Sequence, residues 1–419
     1  MAGYAFALVF AALMTTAAGG NALVIVMPGI GREIGVSDTL IASVFSLSAL
    51  FWTVTSPFWA EQSDKRGRKS MMILGLSGFT VSMLLLGVVV MVGLAQLILP
   101  LASLVGMAVA RAIYGLIGAA ANPAAQAYIA DRTSRAERTN ALALLASAFG
   151  LGTIVGPAIA PFFILPGVGL AGPMFAFAAI GAAVTFLIWR YLPHGDFKPT
   201  AEGARPTRAQ APKKAVWRDA RVMPFMIYGL LMGSCAALNT QVIGFHVIDM
   251  LHFTPTQAGP FLAIAMFAGA AAALIAQWGL IRMLDLGPKE LIRYGTGIAV
   301  FGNILMMFAP NYFSLVMGFA VVSLGYGFTR PGFTAGASLA VKASEQGVVA
   351  GAVAAVNGAC WLVAPVVGVA LYEWRDFAPY ALTALTLGAL VWYAYLDKVL
   401  IKAGVTAADA EAPAQPTPV

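Results

Sequence analysis

Ser63-Asp64-Lys65-Arg66-Gly67-Arg68-Lys69 packs five charged side chains around one glycine, between an apolar run at 39–60 and another at 70–93. About 20 consecutive apolar residues are needed to cross the hydrocarbon core of a bilayer as a helix, and each flanking run is that long. The septet therefore reads as a tight connection between two membrane helices, held by its basic residues at the headgroups of one leaflet. Gly67 supplies the backbone freedom that so short a connection requires. Asp64 is the lone acid of the septet, placed to complement the positive end of a helix dipole.

Further apolar runs lie to either side, at about 4–26, 98–128, 140–165 and 171–191, then at 221–248, 258–281, 291–309, 313–340, 347–372 and 378–396. With the two around the septet they predict twelve transmembrane helices. The composition agrees: 60% of residues are hydrophobic and 10% charged, against about 25% charged in soluble domains. The first run is too long for the h-region of a signal peptide and lacks a basic segment before it, so it is the first span. His194 to Arg218 is polar, with Pro199, Pro206 and Pro212, and separates two sets of six runs. The expected organisation is an N-terminal six-helix bundle over 1–192, a cytoplasmic linker over 193–220, a C-terminal six-helix bundle over 221–398 and a cytoplasmic tail over 399–419.

Charge distribution orients the chain. Most of the 25 Lys and Arg residues fall in alternate loops, in the linker or at its helix ends. Only Arg32 and Arg375 fall on the opposite side, and Arg111 and Arg330 lie within spans. By the positive-inside rule both termini are cytoplasmic, as in a multi-pass protein of a bacterial inner membrane. The same distribution explains the net charge of +7 without a nucleic-acid partner. Cys235 and Cys360 both sit in apolar runs, with no metal-ligand spacing, and read as small packing residues; no metal or cofactor is expected.

The two sets of runs echo each other. Asn122-Pro123 recurs 208 positions later as Arg330-Pro331, Gly156-Pro157 as Ala364-Pro365, and Gly150 as Gly358. Duplicated six-helix halves related by an axis along the membrane normal are a recurrent transporter plan.

Three motifs follow in order: the septet, Arg111-x-x-x-Gly115 in the fourth span, and Gly152-x-x-x-Gly156-Pro157 in the fifth. Glycines at i and i+4 open a groove for close helix approach, and Pro157 breaks the hydrogen-bond ladder. Together these signatures resemble the major facilitator superfamily, in particular its twelve-helix drug–proton antiporter branch of the tetracycline and multidrug efflux type. The resemblance covers nearly the whole chain and implies an all-α membrane protein of two pseudo-symmetric six-helix bundles. It implies that Asp64, Gly67, Arg68 and Lys69 form the inner loop that latches the halves in the outward-open state. Arg111 then matches the arginine linked to proton coupling, with Gly115 completing its motif, and Gly152, Gly156 and Pro157 match the antiporter motif. Ala60 and Ala160 stand where the family usually has glycine, and the second half keeps only Gly287 and Lys289 of the loop.

Ionisable groups within spans are expensive and functional by default. Arg330 and its repeat partner Asn122 are expected to face a central cavity, with Gln126 a turn away, joined by Asn21, Asn239, Gln241, Asn357 and Trp361. Each amide has the alternative of bonding a neighbouring helix. The 18 acids fall in loops, tails or at span ends, so the nearest proton carriers besides Arg111 are Asp249, with His246 three residues before it on the same helix face, and Glu373. The expected function is proton-coupled efflux of small lipophilic or amphiphilic compounds by a monomer whose partners are substrate, protons and lipid. The alternative is transport of an organic anion, metabolite or siderophore through Arg330. A non-transporting receptor is a different class of reading; a membrane enzyme has no motif to support it, with no H-E-x-x-H and no G-x-S-x-G within a span.

Overall fold

The computed structural model describes residues 3–133, 135–193, 219–342 and 345–404. Twelve long helices account for most of them: α1 Gly3–Ile34, α2 Asp38–Arg66, α3 Arg68–Leu94, α4 Pro100–Ala130, α5 Arg135–Ile159, α6 Gly172–Tyr191, α7 Met223–Leu251, α8 Thr256–Met283, α9 Pro288–Met307, α10 Tyr312–Leu339, α11 Gln346–Trp374 and α12 Ala378–Leu396. Helices are the form that lets an apolar chain satisfy every backbone group internally. Among the described residues, ten of the twelve are long and apolar enough to cross a membrane. The other two begin with charge: Arg135, Glu137 and Arg138 open α5, and Lys289, Glu290 and Arg293 open α9. The linker at 194–218 and the tail at 405–419 lie outside the described residues.

Prolines shape the helices. The apolar run of α1 stops at Val26, yet the helix continues through Pro28 to Ile34, because a proline removes one hydrogen bond without ending a helix packed on all sides. In α4 a 3₁₀ turn over Gly118–Ala120 precedes Asn122-Pro123, where the ring clashes with the carbonyl four residues earlier. In α5 the helix gives way to a 3₁₀ turn at Ala160–Phe163, with Pro157 shortly before the turn and Pro161 within it. A π-helical stretch over Ile275–Leu280 interrupts α8, a feature often found where a helix has a functional task.

By contact the chain divides into two compact units. The first comprises residues 1–201, 238–270 and 361–376; the second comprises 202–237, 271–360 and 377–419. The first unit has a core around Leu13, Met72, Leu76, Tyr128, Ile129 and Ile188. In it α3 meets α4 closely: a Cβ on Gly78 would lie 2.7 Å from the Ile117 side chain, and one on Gly106 would lie 2.9 Å from Val89. The second unit repeats the device between α9 and α10, where a Cβ on Gly302 would lie 2.5 Å from the Val322 nitrogen, and one on Gly325 would lie 2.6 Å from the Gly295 oxygen. Without a hydrophobic force between helices in lipid, such close packing and buried polar contacts hold them together. In the second unit those contacts are Thr383 Oγ1 donating to Asn303 Oδ1 at 2.6 Å, and the Tyr228 and Thr296 hydroxyls at 2.5 Å.

Candidate functional site

In the first unit the charged septet makes the α2–α3 connection. Gly67 has φ +91°, a conformation costly for any residue with a side chain, and so lets α3 begin one residue after α2 ends. Arg68, at the first position of α3, bridges two carboxylates. Its Nη1 lies 2.5 Å from Asp64 Oδ1 and its Nε 3.0 Å from Asp131 Oδ2, just past the end of α4. Nη1 also donates to Ser63 Oγ at 3.2 Å. Lys69 is buried. Asp64 therefore serves as an ion-pair partner, and Arg68 joins α2 and α3 to the end of α4.

The fifth-span motif does what its spacing predicts. A Cβ on Gly152 would lie 2.5 Å from the Met14 carbonyl oxygen and 2.7 Å from Ala17 Cβ; one on Gly156 would run into the backbone of Ala18. The helices α1 and α5 thus meet backbone to backbone along a seam with no room for a methyl group. Gly115 plays the same part between α4 and α2, with the Ser48 carbonyl oxygen 2.6 Å from where its Cβ would be.

The two intramembrane arginines have opposite settings. Arg111 is buried, and its Nε and Nη1 have no hydrogen-bond partner among the described residues. Its guanidinium instead lies 4.6 Å from the ring centroid of Tyr114 and 6.0 Å from that of Phe45. A desolvated cation–π contact is worth about 2 kcal/mol or more. Arg330, in the second unit, is exposed and has no ion-pair partner among the described residues. It is within electrostatic range of the Cys360 thiol, which donates to the carbonyls of Val356 at 3.0 Å and Leu230 at 3.4 Å. Arg330 therefore lies on the α7 and α11 side of α10.

The remaining polar residues scatter. Gln126 Nε2 donates to Asn122 Oδ1 at 2.9 Å, and Asn21 Nδ2 donates to the Ala17 carbonyl at 2.8 Å. Asn239 and Gln241 are fully buried, and neither amide atom of Gln241 has a hydrogen-bond partner among the described residues. Asn357 and Trp361 are half-buried on α11.

His246 and Asp249 belong to a larger assembly, at the end of the first unit opposite the septet. Arg32, near the end of α1, places its guanidinium between Asp38 at the start of α2 and Asp249 near the end of α7. Nη2 lies 2.6 Å from Asp38 Oδ2 and 3.0 Å from Asp249 Oδ2, and Nη1 pairs with Asp249 Oδ1. The guanidinium lies 5.6 Å from the Phe245 ring centroid. Tyr372 on α11 donates its hydroxyl to Asp249 Oδ2 at 2.7 Å, and its ring lies 5.5 Å from that of His246. Thr39 donates to Glu373 through its backbone nitrogen at 3.0 Å and its hydroxyl at 2.6 Å. A cavity of about 410 Å³ opens among these groups, with His252 and Asp376 also on its wall.

Sequence reading missed Arg32, Asp38 and Tyr372 as parts of this site. Arg32 and Asp38 face each other across the short turn between α1 and α2, a local signal that was there to be read. The partner 217 residues away leaves no trace in spacing.

Comparison with known proteins accords with this architecture. The chain is 24% identical to Multidrug resistance protein 2 of Bacillus subtilis (strain 168), over 85% of each. It is 24% identical to the class C tetracycline resistance protein of Escherichia coli, over 88% of this chain and 87% of that one. The crystal structure of the nucleoside transporter NupG superposes with a TM-score of 0.70 at 13% identity, covering 96% of this chain and 99% of that one, which shows a shared fold. The family model described as Major Facilitator Superfamily matches residues 8–365; the chain belongs to that superfamily and is a multi-pass secondary transporter of small molecules.

Proposed function

We propose that this transporter exports small lipophilic or amphiphilic compounds in exchange for protons by alternating access, in a bacterial inner membrane with both termini cytoplasmic. The observation that carries this reading is the α1–α5 seam, where Gly152 and Gly156 admit the backbone of α1 at residues 14–18. Small residues at such a crossing let helices slide and tilt at van der Waals contact without a side chain to unlock. The multidrug and tetracycline resistance proteins among its relatives support the same substrate class.

Within this reading two sets of side chains are assigned to substrate: Asn21, Asn122, Gln126, Asn239, Gln241 and Trp361 in the first unit, and Arg330 and Asn357 in the second. Gln241 is the clearest of these, since a fully buried amide without a hydrogen-bond partner among the described residues carries a desolvation penalty of about 1–3 kcal/mol that a polar ligand would relieve. Proton coupling is assigned to Arg111, His246 and Asp249. Arg111 cannot release its proton in a protein, so it acts as a fixed charge, and the titrating groups are His246 and Asp249.

Expression in a host stripped of its own pumps tests the proposal directly. Resistance to at least one lipophilic drug is expected to rise, and purified protein in proteoliposomes is expected to move that drug against its gradient when a pH gradient is imposed. No change in resistance across a broad drug panel, together with transport indifferent to the pH gradient, sinks it. A second reading, transport of an organic anion, rests on the exposed Arg330, which has no ion-pair partner among the described residues. Arg330→Ala would then abolish transport of acidic substrates and spare neutral ones.

A further inference from the structure

The Arg32 side chain ties three long helices together through ion pairs. Its fork takes Asp38 from α2 and Asp249 from α7, and through Asp249 it reaches Tyr372 on α11. The Thr39–Glu373 contacts add a second tie between α2 and α11. Below the charges the same helices touch. A Cβ on Gly244 of α7 would lie 3.0 Å from Pro28 Cγ and 3.3 Å from the Val24 carbonyl oxygen of α1, and one on Gly31 would strike Ile41 of α2. The segments under the clamp are buried on every face, from Ala22 to Ile30 in α1 and from Gln241 to Ile248 in α7. Any route from this end into the first unit must part these contacts.

The groups facing the clamp decide how it can be parted. From α1 comes Arg32 and from α2 Asp38. From α7 come His246 and Asp249, and from the turn after it His252. From α11 come Tyr372 and Glu373, with Asp376 just beyond. One guanidinium thus stands against four carboxylates, an excess of negative charge with His neutral. Arginine stays charged at every physiological pH, so only the carboxylates and the two imidazoles can change. The Asp249 side chain is 44% exposed, open to protons from its own side of the membrane.

We propose that Arg32 is the core of a proton-released clamp: Asp38 and Asp249, ionised, hold α1, α2, α7 and α11 together at the outer face, and a proton delivered from outside to either carboxylate opens that face. The step transfers a proton from external water to a carboxylate oxygen, and a charge-assisted N–H···O⁻ contact gives way to a weaker contact with a neutral acid. Acid outside then favours the outward-open state. The proposal rests on the proton-coupled, outer-face reading above.

The test uses full-length protein in right-side-out proteoliposomes with Cys235→Ser and Cys360→Ser, and Val242→Cys as reporter. Val242 lies two turns below Asp249 on the same face of α7 and is fully buried. A membrane-impermeant maleimide is added outside. Labelling is expressed relative to an exposed reference cysteine (Leu97→Cys, in an otherwise cysteine-free protein) measured at the same pH, which cancels the fall in thiolate fraction in acid. On that scale it is expected to be slow at external pH 8 and about five- to tenfold faster at pH 5.5, the scale of losing one charge-assisted arm. In Arg32→Gln and in the Asp38→Asn/Asp249→Asn double variant it should be fast at both values. Arg32→Lys, which keeps the charge and loses the fork, should fall between. Equal labelling of the wild-type clamp at both pH values overturns the proposal, as does an Arg32→Gln variant that labels no faster; a clamp sensitive to Arg32→Gln but not to pH overturns the proton step. Circular dichroism and monodisperse elution exclude misfolding as the source of fast labelling. Drug efflux driven by a pH gradient is measured in the same vesicles. Efflux that persists while labelling ignores pH defeats the clamp alone, and a responsive clamp without efflux defeats the export reading alone.

Discussion

Arg32 and Arg68 solve the same chemical problem at opposite ends of the first unit. Each is an arginine whose fork joins two carboxylates, at 2.5 to 3.0 Å for Arg68 and at similar range for Arg32. The difference lies in where the acids come from. Arg68 takes Asp64 and Asp131 from helices that follow one another in the chain. Arg32 takes Asp38 from the next helix and Asp249 from α7, 217 residues on. A clamp among sequential helices fixes the shape of one bundle, whereas a clamp that reaches α7 ties together segments that the sequence assigns to different halves. The first is suited to staying shut and the second to opening.

This contrast can be broken at four points. The largest effect is expected from Gly156→Ala, because α1, which carries Arg32, lies on α5 with no space for a methyl group. Overpacking at such a contact costs about 1–3 kcal/mol, so thermal unfolding in detergent should come earlier and transport should fall steeply; unchanged values would show the seam to be looser than its geometry. Arg68→Gln comes next. It releases Asp64, Asp131 and Ser63 at once, and with both acids about half exposed the loss should be about 1 kcal/mol, read as a lower melting temperature of the whole protein. Arg32→Gln should change outer-face accessibility more than Arg68→Gln does, and the reverse order would show that the two clamps do not differ in kind.

The smallest effect concerns a third arginine. In the second unit Arg221 reaches Asp219 at 2.8 Å and Glu345 at 3.1 Å, and its guanidinium holds the Glu345 carboxyl below the ordinary carboxylate range. A depressed folded-state value means the pair contributes stability above the ordinary carboxylate range and loses it as pH falls through the depressed value. Glu345→Gln should therefore lower the melting temperature slightly at neutral pH, by a few tenths of a kcal/mol, and the difference from wild type should vanish in acid. Denaturation curves at both extremes check the sign.

Much of the fold was legible because the bilayer allows so few solutions. Runs of apolar residues long enough to cross it predicted the helices, and the motifs at Gly67, Gly152 and Gly156 predicted contacts that backbone geometry alone demands. The prolines were less readable: the first apolar run ends at Val26, while helix continues past Pro28 to Ile34 because its neighbours enclose it. At the candidate site, Asp64 and Arg68 could be found from spacing since their partners are near in sequence. Arg32 could not, since its significance comes from a helix turn more than two hundred residues later. Arg111 was visible as a charge in an apolar run, but nothing in the sequence said that aromatic rings rather than an acid would hold it.

That last arrangement has an electrical consequence. A guanidinium balanced by ring faces keeps its full charge, with no carboxylate beside it among the described residues to cancel the charge when the helix moves. Carrying one such charge across the whole membrane against a potential of 100 mV involves about 2.3 kcal/mol. Any step of the cycle that shifts α4 along the membrane normal therefore moves Arg111 through part of the field, and the resting membrane voltage biases that step in proportion to the distance travelled.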